Sequence, residues 1–126
     1  MSNQRKKIIQ NYLDGYNNFD IDKMTIDFSD EIVFQNMQNG KVNMTLYGIA
    51  EFKQQAEQTK SYFESREQKM TFISHSDDKT EIEIEYSAVL AIDFSNGLKK
   101  GEKIVLKGIS IFMFKDNKIM QITDIS

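Results

Sequence analysis

The chain has 126 residues, 40% hydrophobic and 28% charged, which suits one domain spanning residues 1–126 with a substantial core. It contains no cysteine, so disulfides, thiolate metal sites and cysteine nucleophiles are excluded. A formal net charge of −3 argues against a nucleic-acid surface, which needs a basic face to displace counterions.

The basic clusters Arg5–Lys6–Lys7 and Lys99, Lys100, Lys103 read as a solvated helix start and a loop tip. The first cluster runs straight into a helical pattern with no apolar leader core, so no signal peptide is expected. No stretch approaches the ~20 apolar residues of a membrane span, and a cytoplasmic protein is expected.

Ile8, Ile9, Tyr12, Leu13, Tyr16 and Phe19 recur at helical spacing and predict an amphipathic helix over residues 4–19. Asp20 suits the N-cap of a short second helix, with Ile21, Met24 and Phe28 on its buried side. Residues 31–38 and 41–47 read as strands, joined by Asn39-Gly40, a strong two-residue hairpin signal. Gly48 breaks that pattern, and Ile49, Phe52, Ala56, Thr59 and Phe63 mark a third, longer helix.

The remainder alternates, with strands expected at 67–76, 79–94, 102–115 and 118–125. Asp77-Asp78 and Asp116-Asn117 suit tight turns between them. In the 79–94 segment, Ile82, Ile84, Tyr86, Ala88, Leu90, Ile92 and Phe94 share one face. Glu81, Glu83 and Glu85 start the other, which turns apolar at Val89 and Ala91. Residues 109–114 are apolar on both faces. A sheet backed by helices has only one face against its own core. The second face, Ile109, Ile111 and Met113, therefore calls for a cover, and a homodimer through it is expected.

Several segments in this order resemble the nuclear transport factor 2-like superfamily, in its SnoaL-like branch. They are Tyr12 in the first helix, Phe19-Asp20-Ile21-Asp22-Lys23-Met24 at the helix junction, and Phe28-Ser29-Asp30-Glu31-Ile32-Val33 before the first strand. Gly48 with Phe52, and Phe114-Lys115-Asp116-Asn117-Lys118-Ile119 at the last turn, complete the set. The resemblance implies an α+β fold, a curved antiparallel sheet wrapped around N-terminal helices into a cone with a pocket at its wide end. It also implies relatives such as polyketide cyclases and ketosteroid isomerase, and dimerisation through the outer sheet face.

Ketosteroid isomerase needs a carboxylate base and a tyrosine–carboxylic acid oxyanion hole. By the resemblance, the base position falls on Asn36, or on Gln35 if the register slips by one, and the acidic oxyanion position falls on Ser110. Tyr12 alone matches, and a carboxamide is no usable base, so this isomerisation is not expected. Related epoxide hydrolases use buried Asp/Arg or Asp/His sets, for which Arg66 and His75 are the candidates. His75, the only histidine, stands two residues before a turn and also reads as an ordinary strand-edge residue. Asp124 lies among apolar neighbours on the last strand, where burial would perturb it, and it also reads as an exposed strand-end carboxylate.

The expected pocket lies between the first helix, the third helix and the inner sheet face. Its lining is expected from Tyr12, Tyr16, Asn36, Phe52, Phe63, Tyr86, Ser110 and Phe112, with His75 and Asp124 as catalytic candidates. No metal and no cofactor is expected. Met24, Met37, Met44, Met70, Met113 and Met120 suit either an adaptable pocket or an ordinary core. Three functions follow: a binder of a small, mostly apolar ligand, a cofactor-free acid–base enzyme (isomerase, cyclase or hydrolase) on a hydrophobic metabolite, or an assembly module. A carboxylate buried in the pocket favours the second.

Overall fold

The computed structural model describes residues 2–126. Helix α1 (Ser2–Asn17) buries Ile8, Ile9, Tyr12 and Leu13, the stripe that its spacing predicts. It ends two residues sooner than expected. Asp20 N donates to Gly15 O (2.8 Å) and Phe19 N to Tyr16 O (3.2 Å), the paired bonds of a Schellman cap. Phe19 sits at the left-handed position of that cap with φ 57°, where glycine is the usual occupant. Gly15 is required for a different reason: a Cβ there would come within 2.7 Å of Met24 N, because α2 crosses α1 at that point.

Helix α2 (Ile21–Thr25) is capped by Asp20, whose carboxylate accepts from Lys23 N at 3.1 Å. Phe28, expected on this helix, instead opens strand β1 (Phe28–Gln38) and is buried there. Asn39 (φ 55°) and Gly40 (φ 77°) make the predicted turn into β2 (Lys41–Tyr47). Helix α3 (Gly48–Lys60) starts on Gly48 at φ 84°. Phe63, expected in its last turn, lies beyond the helix and opens β3 (Phe63–His75).

Strand β4 (Lys79–Leu90) stops four residues short of the expected end. Beyond it, Ala91 N turns away to Tyr62 O (2.8 Å), and Leu90 N pairs with Glu102 O (3.0 Å). Ile92 and Phe94 therefore belong to a loop. That loop returns Phe94 to the Phe63 ring, at a centroid distance of 6.2 Å. Strands β5 (Lys103–Lys115) and β6 (Lys118–Ile125) follow, joined by Asp116-Asn117 with both φ positive.

The six strands form one curved sheet in the order β2-β1-β6-β5-β4-β3. Every ladder is antiparallel except β1 with β6, which is parallel. Helices pack on the inner face, where Ile32, Ile82, Phe112 and Ile122 are sealed against Ile9 and Leu13. On the outer face, Ile109, Ile111 and Met113 are half-buried. Glu83 and Glu81 of β4 stand directly beside Ile109 and Ile111.

Candidate functional site

A cavity of about 520 Å³ opens between α1, α3 and the inner sheet face. Its walls are mostly apolar: Phe34 from β1, Leu46 and Met44 from β2, Phe52 and Ala56 from α3, and Phe94 from the loop after β4. The polar groups come from five elements: Tyr12 and Tyr16 from α1, Asn36 from β1, Gln55 and Thr59 from α3, Arg66 and Gln68 from β3, and Asp124 from β6.

The parallel ladder decides which residue of β1 faces inward. Asn36 pairs with Asp124, and Gln35 pairs with Thr123 on the outer face. Asn36 therefore lines the cavity and Gln35 does not. The Asn36 amide donates to Asn43 Oδ1 at 2.9 Å, which fixes its orientation. A carboxylate is absent at this position but present one strand over.

Asp124 lies across from Ser110 of β5, whose hydroxyl donates to Asp124 Oδ1 at 2.6 Å. Burial pushes the Asp124 carboxyl up to about 6, with the Ser110 bond pulling the other way. Such a group changes protonation close to neutral pH. Tyr12 is 4% exposed, and burial, then the Asp124 charge, raises its pKa well above the usual phenol value. Its hydroxyl is thus a donor, not a phenolate. Tyr16 is also raised by burial, and its hydroxyl meets that of Tyr86 at 2.9 Å.

Arg66 is only 6% exposed. Its guanidinium lies 3.7 Å from the Tyr16 ring centroid and 4.4 Å from that of Phe19. Its Nε donates to Tyr16 O at 2.8 Å, at the C-terminal end of α1, where carbonyls carry the negative end of the helix dipole. Asn17 holds the adjoining stretch of β3, accepting from Gln68 N (2.7 Å) and donating to Gln68 O (3.2 Å).

Residues 9–122 match the SnoaL-like domain. The chain belongs to that family. A search of curated proteins finds no match. Among solved structures, this SnoaL-like domain is similar to a candidate polyketide cyclase from Xanthomonas campestris, at 17% identity and TM-score 0.82, covering 98% of this chain and 90% of that one. It is also similar to an M. tuberculosis LEH-like epoxide hydrolase (14%, TM-score 0.76, covering 98% and 82%). A third likeness is a Catenulispora acidiphila protein with a ketosteroid isomerase-like fold, in complex with trimethylamine (12%, TM-score 0.77, 93% and 82%). These likenesses show the shared fold.

Of the residues expected in the pocket, Tyr12, Tyr16, Asn36, Phe52, Phe63 and Asp124 meet around this cavity of the SnoaL-like domain. Three others stand one layer back. Phe112 is fully buried, edge-on beneath Tyr12 at 5.7 Å. Ser110 is 2% exposed and reaches the cavity only through Asp124. Tyr86 faces a smaller hollow of about 170 Å³ behind Tyr16. His75 does not line the cavity; its Nδ1 is 2.9 Å from Thr80 Oγ1 at the far end of the β3–β4 hairpin. The catalytic candidates thus reduce to Asp124.

The sequence points to Arg66 only by analogy with hydrolases and to Met44 only as one of the methionines, expects Phe94 on a strand, and does not single out Gln68. The one local signal for Arg66 and Gln68 is their shared parity with Met70, which packs against the core.

Proposed function

We propose that the cavity takes a small, mostly apolar molecule and performs cofactor-free acid–base chemistry on it, with Asp124 moving the proton. The observation that carries this reading is a carboxyl in the cavity wall that titrates at about 6. A base with that affinity takes a proton from an activated carbon or water and returns it within one turnover. Tyr12 supports the role: its protonated hydroxyl has no protein partner among the described residues and is free to donate to a developing oxyanion. The cyclase candidate and the epoxide hydrolase among the structural neighbours agree with a small-molecule site.

A direct test uses 2-tetralone in deuterium oxide, following exchange of its α-protons by NMR. The protein is expected to speed exchange by about 10²-fold or more over buffer. Asp124→Asn is expected to return the rate to background. Exchange unchanged in that variant would remove Asp124 from the chemistry and leave a binding cavity.

Two further parts of the proposal concern setting. The protein works as a homodimer through Ile109, Ile111 and Met113, which remain half-buried and outward-facing. It works in the cytoplasm, which cell fractionation tests; no helix among the described residues is long and apolar enough to cross a membrane.

A further inference from the structure

We infer that Arg66 and Gln68 form an anion seat in the cavity, so that the ligand carries a carboxylate or a similar planar oxyanion on its apolar body. The inference rests on the small-molecule reading above and names the ligand's class.

A buried arginine ordinarily has a carboxylate beside it. Arg66 has none: among the described residues the ion pairs are Lys53–Asp22 and Lys60–Glu57, both at the surface. What the protein does supply covers part of the guanidinium only. The Tyr16 and Phe19 rings lie against it, and the Tyr16 carbonyl occupies Nε. Among the described residues the two terminal nitrogens make no hydrogen bond of their own within normal distance, and the Tyr16 hydroxyl is the polar side-chain group beside them. No side-chain nitrogen or oxygen among the described residues is both sealed and unpartnered. Those nitrogens are therefore open; Arg66 borders both this cavity and a hollow of about 280 Å³ beside Ser65, Glu67 and Lys103, and its side chain, bonded to Tyr16 O of α1, is on the cavity side. The exposed edge is the planar two-donor fork that matches a carboxylate.

Gln68 adds to the seat. It is two residues along the same strand, on the same face, 8% exposed, and among the described residues its side-chain amide makes no hydrogen bond, only its backbone N–H and C=O bonding to Asn17. Asp124 does not neutralise this charge. In the sheet, β6 and β3 are separated by β5 and β4, a spacing of roughly 14 Å along the curve. A ligand whose anion rests on Arg66 can therefore extend its apolar part past Phe63 and Phe52 toward Asp124.

The test compares 2-naphthoate with its neutral twin, 2-naphthamide, by isothermal titration calorimetry. Wild type is expected to bind the acid about tenfold or more tightly than the amide. Arg66→Gln is expected to abolish that preference while keeping amide binding. A second readout needs no variant: the Arg66 side-chain N–H resonances of the wild type are expected to shift with naphthoate and stay unmoved with the amide. Equal affinities for acid and amide would overturn the seat and leave the cavity reading intact. Binding of neither compound, at millimolar concentrations, would overturn both.

Discussion

At the scale of single residues, Asp124 ties the candidate chemistry to stability. Its carboxyl rises from 3.8 to about 6 on folding. Between those values the native state holds a proton that the unfolded chain has released. Stability from this group is therefore complete below about pH 4 and is lost as pH rises through 6. A shift of this size corresponds to roughly 2 to 3 kcal/mol. Asp124→Asn removes the loss, so the variant is expected to be the more stable protein at pH 7. The difference in unfolding free energy between the two proteins should shrink as pH is lowered from 7 to 4, read by urea denaturation. A constant difference would mean that the carboxyl is not held in its raised state. Asp124 is legible in the chain only as a carboxylate among apolar neighbours, and Asn36 only through the family resemblance with Gln35 as its alternative; the pairing of β1 with β6 separates the two amides. Arg66 is not legible from its strand, because both faces there carry polar residues (Ser65, Glu67 and Gln68) and alternation gives no contrast.

At the scale of elements, the helix-to-strand joints carry the information that periodicity misses. Phe28, Phe63 and Phe94 were each expected in the element before or around their true one. All three face the same interior as the element they follow, so the apolar rhythm runs on after the hydrogen-bond pattern has changed. The turns were readable, since Asn39-Gly40 and Asp116-Asn117 tolerate positive φ by their chemistry. The α1 cap was not, because it sets a phenylalanine in the left-handed region. That strain is offset by the Phe19 ring resting over the Arg66 guanidinium. Two variants separate the contributions. Both Phe19→Gly and Phe19→Ala lose the ring, but only glycine relieves the backbone. Phe19→Gly is expected to be more stable than Phe19→Ala by about 1 kcal/mol in chemical denaturation. Equal stabilities would show that the cap carries no strain.

At the scale of the molecule, the curved sheet gives the concave side to the cavity and leaves the convex side half-finished. The apolar strip there is narrow. Ile109 and Ile111 of β5 meet Ile125 and Thr123 on β6, but Glu83 and Glu81 on β4. A dimer face must keep those carboxylates at its rim and centre on β5 and β6. Ile111→Glu is expected to convert the protein to monomer with its helical circular dichroism intact, whereas Glu81→Ala is expected to leave the dimer unchanged. Sedimentation showing only wild-type monomer at micromolar concentration would rule out this assembly. The pairing of β1 with β6 left no local mark in the chain, since contacts between segments so far apart alter no nearby spacing.

That pairing makes the last strand the middle of the sheet. Without β6, the β1–β2 hairpin and the β3–β4–β5 meander have no edge in common, and the sheet divides into two pieces. Neither piece reaches the other until residues about ninety positions apart in the chain find their register, an encounter delayed by the entropy of closing a long loop. Asp124 travels on the strand that makes the join. On the proposed chemistry, a partly folded molecule has no proton-transfer group in place, and activity is expected to return during refolding only once this strand has inserted.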